Sequence, residues 1–257
     1  MTLGFDLPTC QPSFVQRLDP RWKLAGLLLA ALAAMNLHTC APALAALAGA
    51  LLLVALARLP LGWYVRRLAV SLFMFALFLA WLPLVLHDGD ATLEIGFVTL
   101  SLTGLVRLIV ITAKIASMIS LMLVLLATTP LPSVFKAARA LWLPRLLVLL
   151  LLLTYRYVFL LMDEFARLRI ALRVRGFRNR ADLHSYRTIG QVAGTLLVRS
   201  HERSERVGQA MRCRGFDGEF RALDDFRTAW PDPLAFTLIV GYAVGLLAWD
   251  RLASGQW

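Results

Sequence analysis

Two near-copies of one short sequence carry the most evident recognition chemistry in this chain. Residues 171–177 read ALRVRGF, and residues 210–216 read AMRCRGF. A guanidinium can pair with a carboxylate through two parallel hydrogen bonds, which a lysine ammonium cannot copy. Arginines followed by glycine are also typical of an ordinary helix C-terminus. We favour one docking peptide used twice, which predicts a partner with two equivalent sites, such as a two-fold symmetric dimer.

The candidate docking residues are the two Arg-Gly pairs together with the residue before each pair: Val174, Arg175, Gly176, Cys213, Arg214 and Gly215. In each copy we expect the arginine to enter a groove on the partner, while the glycine ends the helix beneath it. The chain contains no Walker-type glycine loop with lysine, so we expect it not to bind ATP. Two docking ends without a nucleotide site suit attachment to a separate motor.

Residues that could catalyse a reaction or bind a metal do not form a convincing group. The four histidines are scattered, with no carboxylate or cysteine at ligand spacing: His38, His87, His184 and His201. Some residues of the predicted outer loops could touch a metal ion, but ordinary turn chemistry explains them better: His38, Cys40, His87, Asp88 and Asp90. Lys114 lies within an apolar segment, and because a cation in lipid is costly we expect it to face protein, with a structural ion pair favoured over a functional role.

Composition indicates an integral membrane protein. The chain has 257 residues, is 59% hydrophobic and has a mean hydropathy of +0.69, whereas soluble domains are about 45–50% apolar. Its formal net charge of +11 could suggest nucleic acid, but fourteen arginines cluster between residues 164 and 230 beside apolar segments. Cytoplasmic positive charge near anionic lipid headgroups is the simpler explanation, and we expect no nucleic-acid partner.

Five membrane spans are predicted from the apolar segments. The uncharged stretch 24–57 is too long for one span of about 20 residues, and its break at residues 36–42 predicts a hairpin of two short spans. Further spans are expected at 68–86, at about 103–127 and at 234–249. Between the third and fourth of these spans, residues 91–102 alternate weakly, which predicts a short extended connection.

The apolar segment 146–162 decides the topology. If it crossed the membrane, the arginine-rich region that follows would lie outside, against the positive-inside bias. Arg156 within the segment also argues against full burial in lipid. We therefore predict one long helix over 145–175 on the cytoplasmic face and a second helix over about 185–214. The predicted domains are a membrane domain at 1–130, a cytoplasmic domain at 131–230 and a final transmembrane helix at 231–257.

Several motifs together resemble the transmembrane T component of energy-coupling factor (ECF) transporters. They are LDPRxK at 18–23, TTP at 128–130, YRY at 155–157, ExxxxRxA at 164–171 and the two Arg-Gly ends. The family form of each end is Ala-Arg-Gly, and Val174 and Cys213 replace that alanine here. The run FDGEFR at 216–221 is most similar to the cobalt and nickel branch of CbiQ-like proteins.

This resemblance implies an all-α integral membrane protein with about five transmembrane helices and long cytoplasmic coupling helices. It implies a non-catalytic subunit in the cell inner membrane, with its N-terminus and coupling helices in the cytoplasm. The implied partners are an ABC ATPase dimer, which would hold ATP and magnesium, a CbiM-like substrate-binding membrane subunit and a small accessory membrane subunit. The apolar helix 145–163 would then be a platform for the substrate subunit, with four contact residues: Leu146, Leu149, Leu153 and Tyr157.

Other readings of the sequence remain open at this stage. The T component could serve a vitamin importer instead of a cobalt or nickel importer. The chain could be a self-contained permease, which would transport without an ATPase, or an intramembrane enzyme that uses Lys114 or an outer His or Asp group. Neither of the last two needs two copies of the Arg-Gly motif, so the repeat favours the coupling subunit.

A labelling experiment tests the predicted topology. Cysteines introduced at Asp90 and Arg180, in a chain whose native cysteines are replaced, should react with a membrane-impermeant maleimide from opposite sides. Asp90→Cys should label in intact cells, and Arg180→Cys only after the cytoplasmic side is made accessible. Labelling of both positions from the same side would defeat this topology.

Overall fold

The computed structural model describes residues 13–79, 92–95, 98–178, 180–216 and 228–254. Its elements are α1 (Phe14–Arg17), α2 (Pro20–Met35), α3 (Cys40–Leu56), α4 (Leu61–Leu79), β1 (Thr92–Ile95), β2 (Val98–Ser101), α5 (Leu102–Thr128), α6 (Leu131–Ala140), α7 (Arg145–Val174), α8 (Leu183–Cys213) and α9 (Pro231–Ser254). Strands β1 and β2 form one antiparallel hairpin, in which Thr92 pairs with Ser101. The predicted all-α membrane architecture is confirmed, with this hairpin at the predicted extended connection.

The chain divides into two compact units. We call residues 1–141 together with 226–257 the membrane unit, and residues 142–225 the arginine-rich unit. The predicted cytoplasmic domain was wider, at 131–230. Helix α6 lies in the membrane unit instead, because it packs against α2 and buries Ala137 completely.

Three of the described helices are long and apolar enough to cross a membrane. These segments are Val106–Thr128 in α5, Arg145–Val174 in α7 and Pro231–Ala253 in α9, while α3 is apolar but shorter. Length and composition thus allow α7 to cross, whereas the positive-inside argument assigns it to the cytoplasmic face. The count of five spans and the surface position of α7 remain predictions.

Several helix boundaries differ from those expected from composition. Helix α3 begins at Cys40 and includes Pro42, because a proline in the first turn costs no intrahelical hydrogen bond. Helix α4 begins at Leu61, seven residues before the expected third span, since its first turns can carry Arg66 and Arg67 on an exposed face. The remainder of that expected span, residues 80–86, lies outside the described residues.

Small residues let the helices of the membrane unit approach closely. An alanine side chain at Gly49 would come 2.5 Å from the ring of Tyr242 on α9, and one at Gly26 would come 3.3 Å from Phe236. The Tyr242 hydroxyl donates to the Ala45 carbonyl at 2.6 Å. Close contact through small residues is the usual way in which membrane helices associate, since lipid gives no hydrophobic drive between them. Helix α9 is therefore held directly against α2 and α3.

Buried hydroxyls and an amine join other helices of this unit. Ser120 on α5 is fully buried, and its hydroxyl lies 2.8 Å from the Tyr64 hydroxyl of α4. The buried Lys23 ammonium donates to the hydroxyls of Thr129 at 3.1 Å and Thr128 at 3.4 Å. Two motifs that are about a hundred positions apart thus meet in the folded chain. Serines and threonines in the apolar segments therefore have structural roles.

A buried aspartate at each end of α9 attaches that helix to the pair of helices α2 and α3. Asp232 accepts a hydrogen bond from the Asp19 backbone N–H at 3.0 Å, and Asp19 itself caps α2 by accepting from the Arg21 N–H. Asp250 accepts from the backbone N–H groups of His38 and Thr39 in the α2–α3 turn. The two carboxylates are eighteen positions apart, or about 27 Å along a helix, which is close to the thickness of a bilayer's hydrocarbon core.

Replacing Asp250 should weaken the attachment of α9. In Asp250→Ala the amides of His38 and Thr39 lose a charged acceptor, a loss of about 1.5–3 kcal/mol. The apparent melting temperature in mild detergent should then fall by roughly 3–10 °C. Asp182→Ala is a matched control, because Asp182 is exposed and its side chain makes no capping hydrogen bond. Equal melting temperatures for the two variants would contradict the anchoring role.

Candidate docking site

The two Arg-Gly ends close their helices with the same backbone geometry. Gly176 and Gly215 have φ values of +79° and +71°, in the left-handed region that favours glycine. The Gly176 N–H bonds the Arg173 carbonyl, and the next N–H bonds the Leu172 carbonyl, both at 3.0 Å. The second copy repeats this pattern with bonds at 3.0 and 3.1 Å. Each end is therefore a Schellman cap, in which two otherwise unpaired carbonyls gain partners.

The cap explains part of the repeated sequence. A Schellman cap needs glycine at the left-handed position and brings the apolar residue after it against an apolar residue on the last turn. Phe177 and Leu172 occupy these places in the first copy, Phe216 and Met211 occupy them in the second, and all four are half-buried. The glycine, the phenylalanine and the leucine or methionine are thus accounted for by the need to end a helix.

The cap does not explain the arginines that stand directly before each glycine. Arg175 and Arg214 are both exposed, and each is the C-cap residue of its helix. A cation there complements the helix dipole, but only by about 0.3–1 kcal/mol. Beside them Val174 is 83% exposed and Cys213 is an exposed free thiol. Each end therefore presents a guanidinium next to a small, exposed side chain, which is apolar in Val174 and a thiol in Cys213.

A carboxylate on α7 joins the two long helices. Glu164 Oε1 lies 2.9 Å from Arg199 Nη1, and Glu164 Oε2 lies 3.5 Å from Arg203 Nη2, both on α8. The Glu164 side chain is only 12% exposed, so these charges are partly shielded from water. A carboxylate between two guanidiniums is a stronger contact than an exposed ion pair. The sequence shows the motif at 164–171 but does not indicate this pairing.

Weaker similarity continues on the N-terminal side of the two heptapeptides. At the same offset of 39 positions, Asp163 corresponds to Glu202 and Arg167 corresponds to Arg206. Glu202 and Arg206 form an i,i+4 ion pair at 3.8 Å on α8, as their spacing predicts. Only the arginine at 167 and 206 is identical between residues 163–170 and 202–209, so the similarity is concentrated in the two heptapeptides.

The residues expected to contact a substrate subunit follow one face of α7. Leu146 is 64% exposed, whereas Leu149, Leu153 and Tyr157 are half-buried. Tyr157 also lines a cavity of about 750 Å³ between α7 and α8, together with Arg203 and other residues. The apolar N-terminal half of α7 thus offers Leu146 more openly than Tyr157.

Alternative sites find little support in the described part of the chain. No group of three or more His, Cys, Asp or Glu residues there could hold a metal ion. His38 lies in the α2–α3 turn, where its N–H binds Asp250, and Cys40 begins α3, while three other outer-loop candidates lie outside the described residues: His87, Asp88 and Asp90. Lys114 is half-buried on α5, so protein covers part of its side chain as expected.

Comparison with known proteins decides the family. The sequence model of CbiQ, described as cobalt transport protein, matches residues 11–223, well over half of the chain. The chain belongs to the CbiQ cobalt transport protein family. Its many apolar helices accord with a membrane protein of that family, and the predicted resemblance is confirmed.

Three relatives of this CbiQ-family chain have informative names. It is 34% identical over 125 residues to the cobalt transport protein CbiQ of Rhodobacter capsulatus, covering 48% of this chain and 50% of that protein. It is 32% identical over 110 residues to the nickel permease LarQ of Lactiplantibacillus plantarum, covering 43% and 40%. The energy-coupling factor transporter transmembrane protein EcfT of Streptococcus thermophilus is 26% identical over 246 residues, covering 91% and 93%.

The matches differ in how much of each relative they include. The chain spans between 40% and 61% of the length of four curated relatives that it matches. Membership of the CbiQ family therefore stands on the match to its sequence model, and the substrate and partners of this chain are matters for proposal.

Replacing the cap glycines should loosen both helix ends. No atom lies within 4 Å of a side chain added at Gly176 or Gly215, so only the positive φ disfavours another residue. We expect Gly176→Ala and Gly215→Ala to cost about 1–2 kcal/mol each, and asparagine to cost less because it tolerates this conformation. Amide hydrogen exchange at Phe177 and Phe216 should therefore be fastest in the alanine variants. Equal exchange in the alanine and asparagine variants would contradict the conformational explanation.

Proposed function

We propose that this CbiQ-family chain is the membrane-embedded coupling subunit of an ATP-driven ECF importer for cobalt or nickel. It links an ABC ATPase dimer to a separate substrate-binding membrane subunit and performs no catalysis itself. ATP and magnesium are bound by the ATPases. The membrane unit lies in the cell inner membrane, with the N-terminus and the arginine-rich unit on the cytoplasmic side.

The observation that carries this proposal is the pair of equal helix ends. Two copies of one cap, each presenting an exposed arginine, match a partner that offers the same groove twice. A two-fold symmetric ATPase dimer is such a partner. A self-contained permease or an intramembrane enzyme has no need of two equivalent docking ends. The relative EcfT, which extends over 91% of this chain, supports the same assignment.

The chemistry of each end suits a protein groove with acidic residues. Arg175 and Arg214 can each form two parallel hydrogen bonds with a carboxylate, and the fork of donors fixes the angle of approach. Val174 and Cys213 add a small apolar contact next to each guanidinium. Buried arginines beside apolar contacts are frequent among the residues that dominate the affinity of protein interfaces. When the ATPase dimer closes, the two ends move with its subunits, and α7 and α8 transmit that movement.

The apolar half of α7 is the proposed platform for the substrate-binding subunit. Only 6% of its most apolar 18-residue stretch is buried in the isolated chain. Leu146 and Leu150 are 64% and 50% exposed. A helix that carries so much exposed apolar surface needs lipid or an apolar partner to cover it. Leu149 and Leu153 follow the same face of α7 as Leu146 and would extend this platform.

The names of two relatives support cobalt or nickel as the substrate. A cobalt transport protein and a nickel permease each align with more than two fifths of this chain. Cobalt and nickel are divalent cations of similar ligand preference, so related importers of both are chemically reasonable. In this proposal the substrate subunit binds the metal, and this chain contributes no metal ligand.

An arginine double variant tests the docking role. Arg175→Ala with Arg214→Ala should abolish ATP-dependent cobalt and nickel uptake in a reconstituted complex, because both guanidinium contacts are removed. The ATPases should no longer co-purify with the chain in mild detergent, while membrane insertion stays normal. Arg175→Lys with Arg214→Lys should retain the charge but recover only part of the uptake.

Two neighbouring arginines provide the matched control. Arg178 and Arg180 are exposed and lie just beyond the first cap, so Arg178→Ala with Arg180→Ala removes the same charge. This control should retain ATPase binding and uptake. Normal uptake in the Arg175/Arg214 double variant would refute the docking role, and transport by the purified chain without ATPases would favour a self-contained permease.

A further inference from the structure

We infer that Glu164 is a positioning residue that lies on an approximate two-fold axis relating the two docking ends. This inference rests on the proposed function and deepens it, because it states how one chain presents two equivalent ends to a symmetric dimer. The supporting observations are the register of the repeat, the Glu164 ion pairs and the equal length of helix beyond them.

The register of the repeat leads to this axis. A shift of 39 positions converts the first Arg-Gly end into the second, and the same shift converts Glu164 into Arg203. These two residues contact each other, with Oε2 of the glutamate 3.5 Å from Nη2 of the arginine. If a symmetry operation exchanged the two helices, position 164 would take the place of position 203 and position 203 that of position 164. The same two positions would therefore again be in contact. Only a contact on the axis has this property in a two-fold arrangement.

The direction of the helices agrees with such an axis. Glu164 pairs with Arg199 and Arg203, whereas the preceding stretch of α7, which includes Leu160 and Tyr157, lines a cavity with the later α8 residues Arg206 and Val207. Residues that come earlier in α7 thus lie beside residues that come later in α8, so the two helices run in opposite directions where they meet. Two helices paired in opposite senses are related by a two-fold axis perpendicular to both, and their C-terminal ends lead away from the contact in opposite directions.

The two ends lie at equal distances from the Glu164 contact. Val174 is ten positions beyond Glu164, and Cys213 is ten positions beyond Arg203. Each docking arginine, one position further, therefore lies about 16 Å along its helix from the contact, and the two arginines are at most about 33 Å apart along the helix axes. Their actual separation depends on the crossing angle and on the sliding of one helix along the other. A one-turn slide would move an end by about 5.4 Å and would take Glu164 away from one of its two arginines, which are themselves about one turn apart on α8.

The chemistry of the contact suits a positioning role. The Glu164 carboxylate uses both oxygens, one for each arginine, and Arg199 and Arg203 are neighbours on one face of α8 at i,i+4 spacing. A carboxylate paired with two arginines about one turn apart on α8 resists rotation of the helices as well as sliding. Apolar contacts between long helices permit small slides at little cost. An ion pair whose carboxylate side chain is only 12% exposed opposes such slides, because breaking it leaves a charge that is largely shielded from water without a partner.

A distance measurement tests this inference without transport. Spin labels are placed at Val174→Cys and at the native Cys213, with Cys10 and Cys40 replaced by serine, and the label distance is measured by pulsed electron paramagnetic resonance. The parent chain should give one narrow distribution. Glu164→Gln should broaden or shift it, and the charge-exchanged pair of helices, with Glu164→Arg on α7 and both Arg199→Glu and Arg203→Glu on α8, should restore it.

The matched control is Glu202→Gln. It removes the same charge and an ion pair with Arg206, but that pair lies within α8 and joins no second helix. Its distance distribution should equal that of the parent chain. In the reconstituted importer, Glu164→Gln should lower metal uptake per ATP hydrolysed several-fold while the ATPases stay bound, and the charge-exchanged pair should recover it.

The outcomes separate this inference from the proposed function. An unchanged distance distribution in Glu164→Gln would overturn the positioning role, whatever happens to uptake. A broadened distribution that the charge-exchanged pair fails to narrow would overturn it as well, because the effect would then reflect general loosening. Failure of the unlabelled wild-type chain to bind ATPases would instead overturn the proposed function, and the distance measurement would still decide the geometry.

Discussion

Every helix end leaves backbone groups without intrahelical partners, and the residues that satisfy them determine how both units of this chain are built. In the membrane unit, Asp19 caps α2, and Asp250 accepts from the amides of the α2–α3 turn. In the arginine-rich unit, Gly176 and Gly215 turn the chain so that the last carbonyls of α7 and α8 gain partners. The same requirement thus fixes the anchors of the membrane helices and the shape of the docking ends.

The docking ends divide their work between backbone and side chains. The glycine and the two apolar residues around it end the helix, and this fixes the position of the arginine that precedes the glycine. An arginine on a frayed helix end would lose much conformational entropy when it binds, whereas one on a closed cap is already oriented. Replacing the alanine of the family pattern with Val174 or Cys213 leaves this geometry intact, because both residues are exposed.

Rigid anchoring in one unit and charged contacts in the other serve different needs. Helix α9 is fixed to the pair of helices α2 and α3 by Asp232 and Asp250, one at each end, and Tyr242 packs directly on Gly49 between them. The arginine-rich unit uses the Glu164 contact, which sets the relation between two helices that carry no such close packing of small residues. The proposed coupling role would need both properties, since a force transmitted through the helices is useful only if the membrane helices do not yield.

The sequence by itself determined the class of protein, the long helices and the two Arg-Gly helix ends, whose docking role stays a prediction. Apolar segments of span length, the arginine cluster and a repeated heptapeptide are local features, and local hydrogen bonding and hydropathy suffice to interpret them. It predicted the break between α2 and α3 for the same reason. It placed the start of α3 less well, because Pro42 is as compatible with a first turn as with a loop.

Only the tertiary structure decided which distant residues meet. Lys23 finds the hydroxyls of Thr128 and Thr129, Asp250 finds the α2–α3 turn, and Glu164 finds Arg199 and Arg203. No periodicity predicts these contacts, because each partner lies on another helix and its position depends on how the helices pack. The repeat can be read from the sequence, but the relation between its two copies required the contact between Glu164 and Arg203, which occupy equivalent positions of the repeat.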